Sequence, residues 1–229
     1  MSRRLAGLAF ALALSTPALA GAQYHPPRQR GDYGPPLEGP TLSAWVGVGI
    51  PGGNISGEGD GPLGDVVSRA VPFGLGVGYR FGPLLRAGLL FEGAPLSMDD
   101  RACDPGAPCN GSDFRLGVEA QLHLAPFRRV DPWVGLGLGY EWLRFDAVGC
   151  DVAGTSCFAE RFRYSGWLFP RISAGLDLAV SPLASLGPYV AYSAGQYGNV
   201  DTTAGGSQSI QRQSFHGWLE LGIRGTLNL

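Results

Sequence analysis

Apolar and polar side chains alternate with a period of two from residue 41 to the end of the chain. In the clearest segment, Phe114 and Leu116 share one face, while Arg115 and Glu119 lie on the other. This spacing is typical of a β-strand with two chemically different faces. The pattern predicts eight strands, over residues 41–50, 73–81, 85–92, 114–124, 134–142, 168–180, 188–197 and 215–229. In the sixth, the alternation places Leu168 on the apolar face and Phe169 opposite.

The predicted strands have the length and spacing of a membrane-spanning β-barrel. Most contain about ten residues, and a strand tilted near 45° needs about 9–11 residues to cross a bilayer. The connections alternate between long and short, as in outer-membrane barrels, which have long loops outside and short turns on the periplasmic side. The long ones cover residues 51–71, 95–112, 146–162 and 198–214, and the short ones cover residues 82–83, 125–131 and 181–187.

With these segments, residues 41–229 resemble the small eight-stranded outer-membrane β-barrel proteins of the OmpA/OmpX-type group. The resemblance implies an all-β, antiparallel, up-and-down transmembrane barrel in the bacterial outer membrane. Such proteins usually end in an aromatic residue, whereas this chain ends in Thr226-Leu227-Asn228-Leu229.

Charges on the polar face indicate which side of the strands is enclosed. That face carries five arginines and five carboxylates, a balanced set that suits ion pairing in a closed interior. The predicted lumen network consists of Arg80, Arg86, Glu92, Arg115, Glu119, Glu141, Arg171, Asp177, Glu220 and Arg224. An eight-stranded barrel is just wide enough to be filled by such side chains. The alternative is a secreted soluble barrel of lipocalin type, with its apolar face inside.

Composition and charge exclude two other classes. Charged residues make up 16% of the chain, and hydrophobic residues make up 45%, which argues against a disordered protein. The net charge is −2 and all 17 basic residues are arginines with no basic cluster, so we expect no nucleic-acid partner.

The N-terminal residues predict export. Residues 1–20 combine Arg3 and Arg4, an apolar stretch and a small-x-small site at Ala18–Ala20, which is the pattern of a signal peptide. Its removal would leave 15 basic and 19 acidic residues, a net charge of −4. Residues 21–40 are rich in proline and glycine and predict an extended periplasmic linker, which is either a frayed terminus, the favoured interpretation, or a tether.

Four cysteines lie in two of the predicted long loops, and an exported chain can form disulfides. We expect local pairing of Cys103 with Cys109 and of Cys150 with Cys157, although pairing between the two loops is an alternative. Their spacing does not favour a Cys₄ zinc site.

No catalytic, cofactor or metal site is predicted. Ser214, His216 and Glu220 share one face of the last strand, a triplet that would suit a lipid hydrolase but also arises by chance in polar strands. The long loops are acidic, which suggests either a solvated surface or bridging to lipopolysaccharide by divalent cations. Their acidic residues are Glu58, Asp60, Asp65, Asp99, Asp100, Asp104, Asp146, Asp151, Glu160 and Asp201.

These features predict a monomeric, non-enzymatic barrel with a structural or surface-interaction role. Its expected partners are outer-membrane lipids and lipopolysaccharide, with the surface partner unknown. The alternative functions are a narrow pore for ions, a lateral path for small hydrophobic molecules and, less favoured, a lipid-modifying enzyme.

Overall fold

The structure is a computed structural model that describes residues 38–57, 61–99, 109–150, 157–203 and 205–229. The predicted signal peptide and most of the predicted linker lie outside the described residues. The first strand begins at Gly39, two residues before its predicted start.

Ten strands and one short helix make up the described secondary structure. They are β1 (Gly39–Gly53), α1 (Leu63–Val66), β2 (Val67–Ala70), β3 (Phe73–Phe81), β4 (Leu85–Met98), β5 (Asn110–His123), β6 (Val130–Cys150), β7 (Cys157–Ala179), β8 (Ala184–Thr202), β9 (Gly206–Ser209) and β10 (Phe215–Asn228). Among the described residues, no helix has the length and apolarity that a membrane span requires.

Eight antiparallel strands close into a ring, which confirms the predicted fold. We call these eight strands, β1, β3 to β8 and β10, the staves of the barrel. β1 pairs with β10 over thirteen positions, from Thr41↔Asn228 to Gly53↔His216, and β10 pairs in turn with β8. β1 also pairs with β3, and the other neighbours follow in chain order. β2 extends the stave of β3, and β9 extends the hairpin of β8. Closure leaves the barrel without a free edge, so its backbone groups are satisfied within the wall.

Burial alternates along the staves, with apolar side chains outside and polar ones inside. On β10, Leu221 and Ile223 are 52% and 56% exposed, whereas Glu220 and Arg224 are 1% and 6% exposed. The same inversion holds on β5, where Leu116 is exposed and Arg115 is buried. The predicted orientation, with apolar side chains outside and charged side chains inside, is therefore confirmed.

Six of the eight strands in the ring are longer than predicted, namely β1, β4, β5, β6, β7 and β8, and the last three are extended most. β6, β7 and β8 contain 21, 23 and 19 residues. Residues 146–150, 157–162 and 198–202, which were predicted to be loop, are therefore strand. The inward side chains Leu143, Phe145 and Tyr164 are buried beyond the charged part of the lumen, and their packing stabilises these extensions.

The predicted faces of β7 are wrong at Leu168 and Phe169. Leu168 is 3% exposed and points inward, whereas Phe169 is 61% exposed and points outward. The register shifts between Leu168 and Arg171, where two residues of β7 oppose one residue of β6. Such a β-bulge moves every side chain on one side of it to the opposite face. Pro170, which has no N–H to donate, lies at this bulge.

Candidate functional site

All ten charged residues of the predicted lumen network lie inside the barrel. None of the ten is more than 9% exposed. The contacts divide them into a group around Arg115 and Arg171 and a group nearer the short-turn end.

Arg115 is the hub of the first group. Its guanidinium lies 2.8 Å from Glu92 Oε1, 2.6 Å from Asp113 Oδ2 and 3.7 Å from Glu141 Oε1. It also donates a hydrogen bond to Glu220, whose strand, β10, lies opposite β5 in the ring. One cation therefore ties together carboxylates from four staves.

Arg171 binds three carboxylates of the same group. Its guanidinium lies 3.1 Å from Glu220 Oε2, 3.5 Å from Glu92 Oε2 and 3.5 Å from Glu119 Oε2. It also donates to the hydroxyl of Ser193 at 3.1 Å. Because Glu92 and Glu220 contact both arginines, the group is a single network across the lumen.

Arg86 and Arg224 belong to the second group and contact neutral polar side chains. Arg86 donates to Thr41 Oγ1 at 2.9 Å and to Thr226 Oγ1 at 3.3 Å. Arg224 donates to Gln121 Oε1 at 2.9 Å, and its guanidinium carbon lies 4.6 Å from the centre of a Trp133 ring.

Arg80 and Asp177 complete the second group at the short-turn end. Together with Asp131 they line one small recess there. Arg80 donates to the carbonyl oxygen of Pro83 at 3.0 Å, which ties its side chain to the turn between β3 and β4.

Glycines on the inner face make room for these side chains. A Cβ at Gly135 would lie 3.2 Å from the carboxyl carbon of Glu119 and 3.3 Å from Gln121 Cγ. At Gly74, a Cβ would collide with the indole of Trp45. That indole donates to Glu92 Oε2 at 2.8 Å, so this glycine helps to position the network.

The lumen also holds four buried carboxyl or imidazole side chains that the predicted network does not include. Two are carboxylates, Asp113 and Asp131, at 3% and 6% exposed. The other two are histidines: His216 Nε2 lies 2.7 Å from Glu141 Oε2, and His123 Nδ1 lies 2.8 Å from Asp131 Oδ2.

With these additions the lumen holds seven carboxylates against five arginines, so the predicted equality of signs does not hold. The signal for the missing acids was present in the sequence. Residues two apart on a strand share a face. Asp113 is therefore on the same inner face as Arg115, and Asp131 is on the same inner face as Trp133.

The Ser214, His216 and Glu220 triplet does not form the arrangement that a hydrolase would need. The carboxylate in contact with His216 is Glu141, and Glu220 accepts instead from Arg115 and Arg171. The histidine is fully buried and stacks on Tyr197, with ring centres 3.9 Å apart. That the protein is not an enzyme stays a prediction.

An apolar cluster fills the barrel on the long-loop side of the network. We call it the mouth cluster, and it consists of Ile55, Leu63, Val67, Ala70, Ala94, Leu143, Phe145, Tyr164, Tyr197, Ile210 and Trp218. Ile55 and Leu63, the first residue of α1, thus pack inside the mouth. Trp218 joins the two layers, since its N–H donates to Glu141 Oε1 at 2.8 Å and the Arg115 guanidinium lies 4.8 Å from its ring.

Three voids among the described lumen side chains are small. Those beside Arg115 and Arg80 measure about 20 Å³ each, and one beside Arg86 measures about 10 Å³. A void of this size holds about one water molecule. Beside these three arginines, the packed side chains therefore leave little room for a passing solute.

Only three of the four cysteines in the predicted disulfides lie within the described residues. Cys109 is disulfide-bonded, but Cys103 lies outside the described residues. The backbones of Cys150 and Cys157 lie opposite each other in the β6–β7 register, and their side chains are not described. Both pairings stay predictions.

No group of three or more possible metal ligands is found within the described residues. Several predicted acidic loop residues, including Glu58, Asp60, Asp100, Asp104 and Asp151, lie outside them. Bridging by divalent cations is therefore untested.

Several solved structures are similar to this chain. Neisserial surface protein A has 16% identity and a TM-score of 0.49, covering 83% of this chain and 97% of that chain. OprG, an outer membrane protein of Pseudomonas aeruginosa, has 11% identity and a TM-score of 0.47, with the same coverage. The outer membrane protein AlkL has 18% identity and a TM-score of 0.46, covering 91% of this chain and 97% of that chain. No family model and no curated protein matches the chain.

Proposed function

We propose that this protein is a closed, monomeric barrel of the bacterial outer membrane, with a structural or surface-interaction role. The observation that carries the proposal is the inverted barrel itself. Its lumen is sealed by a buried ionic network and an apolar cluster, while its outer wall is apolar. A soluble protein rarely exposes a large continuous apolar surface, and a lipid bilayer would cover this one.

The outer wall has the features of a membrane span. On β6, the outward side chains Val134, Leu136 and Leu138 are 46%, 56% and 44% exposed. Aromatic residues lie near both ends of the wall, as expected at the two interfaces of such barrels. Exposed aromatics include Phe73, Phe91, Phe114, Trp167, Phe169 and Phe215 toward the long loops, and Tyr79, Phe81 and Phe127 toward the short turns.

The closed ring supports a monomer with a surface role. The barrel wall offers no open strand edge to a second copy, and the long hairpin of β6 and β7 projects beyond the lipid-facing band. We propose that outer-membrane lipids, including lipopolysaccharide, surround the barrel and that any protein partner binds the long-loop end.

The two transport alternatives would both need an opening at the mouth. A pore for ions must pass Arg115 and its carboxylates as well as the mouth cluster. A lateral path for small hydrophobic molecules must begin at the same mouth before it leaves through the wall. The small lumen voids favour the closed barrel over either alternative.

Conductance in planar bilayers tests this choice. We expect no current steps from the native protein or from Arg115→Ala alone, because the mouth cluster still blocks the lumen. The double variant Arg115→Ala/Trp218→Ala removes one large side chain from each seal and should produce steps. The matched control Arg115→Ala/Trp167→Ala removes a lipid-facing indole instead and should stay silent. Regular steps from the native protein would contradict the proposal and favour a pore.

A further inference from the structure

The β6–β7 hairpin carries a row of outward side chains that changes character toward the long-loop end. Its cross-strand partners, which we call the hairpin ladder, are Tyr140 with Trp167, Trp142 with Ser165, Arg144 with Arg163, and Asp146 with Arg161. The ladder thus runs from aromatic to polar to cationic.

The lower end of the hairpin ladder is an aromatic platform at the edge of the lipid-facing band. The rings of Tyr140 and Trp167 meet edge-on with centres 5.3 Å apart, and Tyr140 and Trp142 lie 4.8 Å apart. The Tyr140 hydroxyl lies 3.3 Å from Ser165 Oγ. Tyrosine and tryptophan prefer the region between acyl chains and headgroups, which places this end of the ladder at the interface.

The upper end carries an excess of positive charge. Arg144 lies directly opposite Arg163, and like charges in such pairs are destabilising unless something compensates them. Asp146 lies 2.7 Å from Arg161 Nε and 3.2 Å from Arg144 Nη2. The hydrogen bond from Arg161 holds the pKa of Asp146 below its ordinary value, so this carboxylate stays ionised at neutral pH.

One further carboxylate lies beside the arginines. Asp201 of β8 is the cross-strand partner of Arg163. Among the described residues, this surface therefore presents three guanidiniums and two carboxylates. It keeps a net positive charge in a mature chain that we expect to be acidic.

A groove of about 510 Å³ lies beside the hairpin ladder on the outer wall. All the residues that line it are uncharged, and they include the aromatic rings of Trp167, Phe169 and Phe215 and the amides of Gln196, Asn199 and Gln213. The rings can cover an acyl chain, while the amide N–H groups can donate to carbonyl or hydroxyl oxygens.

The height of the arginines fits the headgroup region. Arg144 lies four residues beyond Tyr140, which is about 13 Å along a strand and about 9 Å in height at a tilt near 45°. Phosphate groups of an outer-leaflet lipid lie in this region, and guanidinium binds phosphate through paired, charge-assisted hydrogen bonds.

We propose that the hairpin ladder and the adjacent groove form a binding surface for a phosphorylated acyl glycolipid of the outer leaflet. Arg144 and Arg163 bind its phosphate, the groove amides bind its sugar hydroxyl and acyl carbonyl oxygens, and the aromatic platform contacts its chains. The groove is continuous with the wall that membrane lipid must cover, which is why the occupant is a lipid. The inference rests on the proposed membrane location and requires no divalent cation.

Titration of the folded, full-length barrel with diphosphoryl lipid A, in dilute nonionic detergent micelles containing EDTA, tests the proposal. The double variant Arg144→Gln/Arg163→Gln should weaken the apparent dissociation constant by about tenfold or more. The control Arg128→Gln/Arg129→Gln removes two exposed arginines at the short-turn end and should bind like the native protein. Gln196→Ala/Asn199→Ala should weaken binding of both diphosphoryl and dephosphorylated lipid A.

Four results would contradict the proposed binding surface. They are equal losses in both arginine double variants, equal affinity for phosphatidylglycerol, binding that appears only when calcium replaces EDTA, and no binding by the folded native protein. Heat-modifiable electrophoretic migration of each variant shows that the barrel is intact. A native chain that never enters detergent or lipid would instead contradict the proposed function, and the surface would fail with it.

Discussion

Replacing Arg115 by alanine is expected to lower the free energy of unfolding by about 3–5 kcal/mol. The guanidinium is buried and contacts Glu92, Asp113, Glu141 and Glu220. Its removal leaves a cluster of carboxylates without their central cation in a water-poor lumen, which is the costly way to break a buried ion pair. Urea titration of the refolded barrel in lipid vesicles, followed by tryptophan emission, measures the change.

Two companion variants make this experiment specific. Arg115→Lys keeps the charge but loses the planar fork that reaches several carboxylates at once, so its loss should be intermediate. Arg128→Ala removes an exposed arginine at the short-turn end and should stay within about 0.5 kcal/mol of the native protein. If Arg115→Ala were as stable as Arg128→Ala, the network would contribute little to the fold.

The second large effect is expected at the lipid-facing wall. Leu136 is 56% exposed and lies near the middle of the outward apolar positions of β6. Leu136→Arg should cost about 2–4 kcal/mol, because it places a charge near the bilayer midplane. The same urea titration in vesicles measures this loss.

The control for Leu136→Arg is the same kind of substitution at the end of the barrel, far from the bilayer midplane. Phe127 is 68% exposed and lies in the turn between β5 and β6, at the end of the barrel. Phe127→Arg should cost only about 0–1 kcal/mol, as is typical of positions near the interface. Equal costs at the two sites would mean that Leu136 does not face lipid.

The alternation of β10 shows why so much of the fold could be predicted. Because side chains alternate strictly, one assignment of inside and outside places every residue from Phe215 to Leu229 at once. Glu220 and Arg224 on one side and Leu221 and Ile223 on the other all lie where the pattern puts them.

β7 shows where the same reasoning fails. The bulge at Phe169 and Pro170 interrupts the period of two, so Leu168 and Phe169 exchange faces. A local irregularity of this kind depends on how β7 pairs with both neighbours, and the alternation within one segment does not reveal it. The extensions of β6 and β7 were missed for a similar reason, since Leu143 and Phe145 are stabilised by a mouth cluster drawn from distant parts of the chain.

The ion-pair partners could not be predicted from the sequence either. The alternation places Arg115 and Glu220 inside, but it does not say that strands on opposite sides of the ring bring them together. That contact exists only after β10 has closed onto β1. The two carboxylates outside the predicted network, Asp113 and Asp131, lie just before the strands predicted over residues 114–124 and 134–142.

The central claim is that the apolar face of this barrel is covered by lipid while its charges are enclosed. Refolding the purified chain with and without lipid vesicles, followed by flotation and electrophoresis of unheated and heated samples, tests it most directly. We predict a folded, heat-modifiable form that floats with the vesicles and does not form in buffer alone. A folded, monodisperse chain in buffer without detergent or lipid would contradict the account.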